Sequence, residues 1–333
     1  MTNWNLLGHE WAVEMLRGQL QRDAFGHAYL FTGPAGIGRR TLALRFAQAL
    51  LCPTPTAPGD PCGICRACRQ IEAMQYADLT VVQAEKEGGV LKVEQVREVR
   101  QLLSLKPYQG ERRVALFLRF EEANPSAANA LLKTLEEAPS HAILLLTADS
   151  AESLLPTIVS RCQVLRLRPL TVETVAAALK ERGAEAESAR LLAHLSGGRP
   201  GLAFRLLADP AALDFRRQRL DELQRLLTAS RVEKFAYAEK LTERKRAEQE
   251  RPRETLLLWL SYWRDVLVAA SGASAPLVNM DRAEEIRALA GGLDLPSARR
   301  LVEQTEKAIE RLDANVNARL LAEILLLDWP RLP

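Results

Sequence analysis

Ala28-Tyr29-Leu30-Phe31-Thr32-Gly33-Pro34-Ala35-Gly36-Ile37-Gly38-Arg39-Arg40-Thr41 is the stretch that decides the fold. Its apolar run AYLF reads as a buried strand, and TLALRFAQALL (Thr41–Leu51) reads as an amphipathic helix. Strand, glycine loop and helix in that order form a phosphate cradle. Glycines let backbone N–H groups turn inward, and the helix N-terminus adds partial positive charge. The loop keeps Gly33, Gly36 and Gly38 of this arrangement, but the pattern GxxxxGK[ST] also asks for Lys at 39 and a hydroxyl at 40. Arg39 and Arg40 stand there instead.

Both departures change the chemistry. The lysine is a compact charge that reaches the terminal phosphates, and the hydroxyl holds Mg²⁺. Arginine at 39 keeps the charge on a bulkier, planar group. Arginine at 40 offers no oxygen and puts a cation where the metal belongs. Thr41 carries a hydroxyl one residue late, about 100° round the helix. Arg112–Leu118, RRVALFL, reads as a second apolar strand, after which a nucleotide hydrolase carries carboxylates for Mg²⁺ and water. Here Leu118 and Arg119 follow, while Glu121 and Glu122 come too late and read as a solvated helix start. The loop can still be expected to hold an anion such as sulfate, and the losses make ATP a doubtful cofactor.

Strand and helix patterns alternate from the loop outward. Helical periodicity covers 5–22, 41–51, 71–76, 93–105, 126–137 and 154–160, and strands are expected at 78–83, 142–147 and 164–167. Such alternation predicts a parallel α/β sheet. After Pro169 no strand pattern remains. Helices are expected at 171–182, 186–196 and 200–207, then from 211 onward with breaks near Ser271–Pro276 and Gly291–Pro296. The fold class is therefore α/β followed by all-α. The mixed charges of Lys240–Glu254 read as a solvated helix face.

Between the loop helix and the next strand, Pro53, Pro55, Pro58, Gly59 and Pro61 break regular structure around Cys52, Cys62, Cys65 and Cys68. Two overlapping CxxC units plus one distant thiol suit a tetrahedral Zn²⁺ site. Four thiolates leave no open coordination position, so the zinc is expected to be structural. Cys162 stands apart.

Composition narrows the classes. The 333 residues are enough for two or three domains, with 47% hydrophobic and 26% charged residues as in ordinary globular chains. A net charge of +3 is too small to mark an autonomous nucleic-acid binder. No apolar run approaches the roughly 20 residues of a membrane span, and no signal peptide is evident at the start. Clustered cysteines fit a metal site in a reducing cytoplasm better than a disulfide framework.

Taken together, GPAGIG (33–38), the cysteine knuckle, ANALLKTLEE (Ala128–Glu137), SRC (160–162) and GGRPG (197–201) resemble the clamp-loader subunits of bacterial DNA polymerase III, a branch of the AAA+ ATPases. ANVNARLLAEILLL (Ala314–Leu327) extends the likeness to nearly the whole chain. The resemblance implies an AAA+ core over 1–168 with a zinc insert at 52–70, a helical lid over 169–208 and a helical collar over 209–333. It implies a ring of five subunits with ATP sites between neighbours. Partners would be the gamma or tau motor subunits and a delta subunit, with the sliding clamp and primed DNA reached through the complex. The location would be the cytoplasm, with no membrane partner.

Motor subunits carry the lysine and the carboxylates that this chain lacks, so the resemblance points to a non-hydrolysing member used in DNA replication. Pro200 aligns with an arginine of the motor lids, and Arg199 lies beside it. The resemblance further implies that Arg161, with Ser160, reaches the γ-phosphate of ATP bound next door. Read from position alone, Arg161 is a cation capping the C-terminus of a short helix. One alternative is an active clamp-loader ATPase using Arg39 in place of lysine. Another is a zinc-dependent DNA-binding module, which the mild net charge disfavours.

Overall fold

The computed structural model describes residues 3–86, 88–243, 251–314 and 316–330. The chain divides into two compact units, Met1–Ala178 with Gly198–Leu202 and Leu179–Gly197 with Ala203–Pro333.

Five strands build the first unit: β1 (Ala28–Thr32), β2 (Leu79–Val82), β3 (Arg113–Phe117), β4 (Ala142–Ala148) and β5 (Gln163–Arg166). They form one sheet in the order β2-β3-β4-β1-β5, with every pair parallel. Residues of β1, β3 and β4 are buried throughout. Parallel strands covered on both faces need such unbroken apolar runs. Register places Leu30 between Leu146 and Val164.

Alternate strand residues feed two different cores, as the period of two requires. Tyr29, Phe31, Leu116 and Leu145 pack with α1 (Glu10–Gln21), α2 (Arg39–Leu51) and α3 (Arg66–Glu72). Leu30, Ala115, Leu144 and Leu146 pack with α4 (Val93–Ser104), α5 (Pro125–Glu136) and α6 (Pro156–Val159).

Two helix boundaries differ from the sequence expectation. Residues 5–9 are not helical: Trp4, Asn5, Gly8 and His9 have positive φ, and the Asn3 amide donates to the carbonyls of Leu6 and Gly8. Side-chain hydrogen bonds of this kind offer the backbone an alternative to helix. The helix expected at 71–76 instead spans Arg66–Glu72, starting at Cys65, whose sulfur accepts the Cys68 N–H.

Beyond β5 only helices occur among the described residues: α7 (Val172–Glu181), α8 (Ala186–Leu195), α9 (Pro200–Ala208), α10 (Pro210–Thr228), α11 (Arg231–Thr242), α12 (Pro252–Ala270), α13 (Ala283–Gly291), α14 (Leu295–Asp313) and α15 (Ala318–Leu327). The expected order, an α/β sheet followed by helices, is therefore observed. Part of the Lys240–Glu254 charge run, 244–250, lies outside the described residues.

Aromatic packing centres the second unit. Trp329 meets Trp259 edge-on at 4.8 Å and Trp263 at 5.4 Å. Polar links tie irregular backbone to this core. Buried Asp265 accepts from the backbone N–H of Val278 and Asn279, and Arg216 forks onto Asp281 at 2.7 and 2.8 Å.

Asp78 plays the same part in the first unit. It is fully buried and accepts from the backbone N–H of Tyr108 (2.6 Å), Gln109 (2.8 Å) and Gly110 (3.3 Å), with Arg113 at 3.7 Å. This carboxylate shapes the loop between α4 and β3. Asp78→Ala leaves those donors and the Arg113 charge without their anion, and is expected to cost about 3 kcal/mol. Urea unfolding of the variant beside the unmodified chain measures that loss. An unchanged midpoint would contradict the role given to Asp78.

Candidate functional site

The glycine loop leaves the carboxyl end of β1, where open α/β sheets place their ligands. Gly36 lies at φ +83°, and its carbonyl accepts the N–H of Gly201 at 2.8 Å. A Cβ on Gly36 would lie 3.1 Å from the Leu202 nitrogen, and one on Gly201 would lie 2.9 Å from the Gly36 oxygen. Glycine is needed on both sides of this approach. The first residue of α9, Pro200, is buried beside it.

Arg39 opens α2 and is 8% exposed. Its Nη2 lies 2.6 Å from Oδ1 of Asp149, just past β4, and its buried Nη1 has no hydrogen-bond partner among the described residues. The carbonyl of Asp149 also accepts the Gly33 N–H at 3.2 Å. Gly38 caps α2 at φ +113°, and Arg40 and Thr41 are exposed. The guanidinium at the lysine position is thus already paired with a carboxylate of the same chain.

Past β3, Leu118 is buried. Arg119 adopts a left-handed backbone, donates its N–H to Thr147 Oγ1 at 2.9 Å, and pairs with Glu122 at 2.8 Å. No carboxylate stands at 118 or 119. Glu121 and Glu122 are half-buried, which corrects the expectation of a solvated helix start. Glu122 accepts the Gly88 N–H as well as the Arg119 guanidinium. Burial pushes the Glu121 carboxyl from its ordinary 4.5 up to about 7; the Asp149 charge adds to the rise and Arg39 opposes it. Sequence reasoning missed Asp149 and the burial of Glu121. The available signal was an acid directly after LLLTA (Leu144–Ala148), at the strand end facing the loop.

Arg161 follows α6 and is only partly exposed. Its Nη1 donates to the Thr157 carbonyl at 2.9 Å, and its Nη2 lies 2.7 Å from Glu136 Oε1 on α5. The Ser160 hydroxyl donates to the Thr157 carbonyl. Cys162 is half-buried and belongs to no sulfur cluster.

The insert brings Cys52, Cys62, Cys65 and Cys68 together, with all four sulfurs within 4.8 Å of one another. Three separations are 3.6, 4.0 and 3.9 Å, for Cys52–Cys62, Cys52–Cys65 and Cys62–Cys68. A tetrahedral ion with metal–sulfur bonds of about 2.3 Å needs sulfurs about 3.8 Å apart, so the residues fit a metal such as zinc. Backbone N–H groups of Cys62, Cys65 and Cys68 point at the sulfurs of Cys52, Cys62 and Cys65. These donors stabilise thiolates, and that from Cys65 leads in bringing the Cys62 thiol down to about 6. Asp60, held by Trp4 Nε1 at 3.0 Å and Arg17 Nε at 2.8 Å, fastens the insert to the N-terminal segment.

Glu121 supplies a pH test of this geometry. A carboxyl whose folded pKa is raised binds more protons folded than unfolded between about 4.5 and 7, so its contribution to stability falls as pH rises through that window. Glu121→Gln is expected to stabilise the chain by about 1 kcal/mol at pH 8, a figure discounted for partial solvent screening, and by less at pH 5. Thermal unfolding at both pH values reads the difference. Equal effects at pH 5 and pH 8 would remove the raised carboxyl from the account.

A family model described as "DNA polymerase III, delta subunit" matches residues 8–171, and "DNA polymerase III, delta subunit, C terminal" matches 211–331. DNA polymerase III subunit delta' of Pseudomonas aeruginosa is 43% identical over 190 residues, which span 56% of this chain and 57% of that protein. The chain thus covers little more than half of that relative's length. Subunit delta' of Bacillus subtilis is 28% identical over 95% of this chain and 94% of its own length. Subunit tau of Escherichia coli is 34% identical over 51% of this chain and 26% of its own length. Among the described residues no helix is long and apolar enough to cross a membrane. With a delta-subunit model matching each end and a delta-prime relative aligned along nearly its whole length, the chain belongs to the delta-prime family of DNA polymerase III clamp-loader subunits.

Proposed function

We propose that this chain is a non-hydrolysing subunit that assembles with gamma or tau motor subunits and a delta subunit to load a sliding clamp onto primed DNA in the cytoplasm. The observation that carries this reading is the buried Arg39, paired at 2.6 Å with Asp149. A nucleotide phosphate would have to displace that carboxylate. It would then find no Mg²⁺ carboxylate at Leu118 or Arg119. The alternative of an ATPase using Arg39 in place of lysine requires this guanidinium to be free for phosphate.

The organisation that goes with this function is an AAA+ core over 1–168, a lid over 169–208 and a collar over 209–333. In it, Arg161 supplies a charged fork to ATP bound by a neighbour. Arginine suits the task because two N–H groups can meet two phosphate oxygens at once. Such residues supplied in trans are worth roughly 10³–10⁵ in rate in other phosphoryl-transfer systems. Cys52, Cys62, Cys65 and Cys68 hold a structural Zn²⁺. When bound, that ion crosslinks a proline-rich insert with no apolar core of its own.

Reconstitution with the motor and delta subunits of the same organism tests the assignment. The isolated chain is expected to show no ATP turnover, and Arg39→Lys with Arg40→Thr is not expected to restore it. Arg161→Ala is expected to leave assembly intact while lowering DNA-stimulated ATPase and clamp loading. Turnover by the isolated, unmodified chain would establish the ATPase alternative instead.

Metal analysis addresses the insert separately. Purified, unchelated protein is expected to carry about one zinc per chain, lost in Cys65→Ser. Disulfides among the four cysteines, or retained zinc in the variant, would contradict the site.

A further inference from the structure

Arg161 is held through both terminal nitrogens by its own chain, with the Ser160 Oγ a third, longer contact of Nη1 at 3.5 Å. The Thr157 carbonyl takes Nη1 at 2.9 Å and Glu136 Oε1 takes Nη2 at 2.7 Å. A guanidinium has five N–H donors, so those left over, that on Nε among them, stay available. The Arg161 side chain is 37% exposed, and that of Glu136 is 50% exposed.

Both holders sit on fixed ground. Glu136 closes α5, whose Leu131 and Leu135 are buried in the sheet's core. Thr157 lies in α6, where Ile158 is fully buried in that same core. Contacts to two different terminal nitrogens fix the rotation of the guanidinium plane, which one contact alone would leave free.

We propose that Glu136 is a positioning residue for Arg161, holding one side of the guanidinium so that the other side is presented ready-aligned to the polyphosphate of a neighbouring subunit. The proposal rests on the reading of Arg161 given above. A free arginine side chain loses rotamer entropy when it is ordered, and alignment before the reaction removes part of that cost from the chemical step. The carboxylate also opposes the approach of a polyphosphate. Its pairing with Nη2 aids the alignment, while its charge at the same time repels the incoming phosphates.

That division gives the test. In the reconstituted clamp-loader complex, ATPase stimulated by clamp and primed DNA is measured for Glu136→Ala, Glu136→Gln, Arg161→Ala and the double variant Glu136→Ala/Arg161→Ala. An exposed pair of this kind is worth up to about fivefold in a rate. Glu136→Ala is expected to lower kcat about two- to fivefold on that scale with KM for ATP unchanged. Glu136→Gln keeps the acceptor and is expected to stay near the unmodified rate. In the Arg161→Ala background, Glu136→Ala is expected to do nothing further.

Arg161→Ala at the unmodified rate would remove the trans-acting arginine, and the present proposal with it. A slow Arg161→Ala complex beside a Glu136→Ala complex of unmodified or increased rate would overturn the positioning role alone. Additive losses in the double variant, or a matching loss in thermal stability and assembly, would make Glu136 merely structural.

Discussion

Arg39 lies buried at the first turn of α2, with Asp149 2.6 Å from its Nη2. A buried cation needs an anion, and a glycine loop at a helix N-terminus ordinarily finds one in a phosphate. In this chain β4 delivers a carboxylate to the same place, and the loop's own Gly33 N–H bonds the Asp149 carbonyl. Asp149 remains largely exposed, so the pair itself adds modest stability. Its effect is on competition. A tethered carboxylate is always at hand, whereas in the proposed reading a nucleotide must arrive and displace it.

Elsewhere the irregular parts are likewise fastened by carboxylates onto regular structure. Asp78 shapes the loop before β3, Asp60 holds the cysteine insert against Trp4 and Arg17, and Asp265 ties Val278 and Asn279 into the second unit. Each accepts donors that a loop could not otherwise satisfy away from water. The Gly36–Gly201 contact is the backbone counterpart. Against this braced frame, the Arg161 guanidinium combines defined partners with remaining exposure, as the role proposed for it in trans requires.

The sheet was legible because parallel strands write themselves as unbroken apolar runs, as in AILLL (Ala142–Leu146). The cysteine cluster was legible because ligand spacing is local. The N-terminal helix was misjudged by several residues, since Asn3 and the left-handed turn at Gly8–His9 depend on hydrogen bonds that periodicity does not report. Replacement of the lysine by Arg39 could be read directly; its partner could not. Asp149 is 110 positions away in the chain and reaches Arg39 only because β1 and β4 are neighbours in the sheet. Glu121 was misplaced for the same reason, because its burial comes from packing, not from its own helical turn.

Calorimetric titration of Mg-ATP into the isolated, unmodified chain is the most direct test of the claim that an internal carboxylate occupies the loop. No saturable heat is expected for this chain. Stoichiometric binding at micromolar affinity, with Arg39 drawn away from Asp149 in the complex, would contradict it.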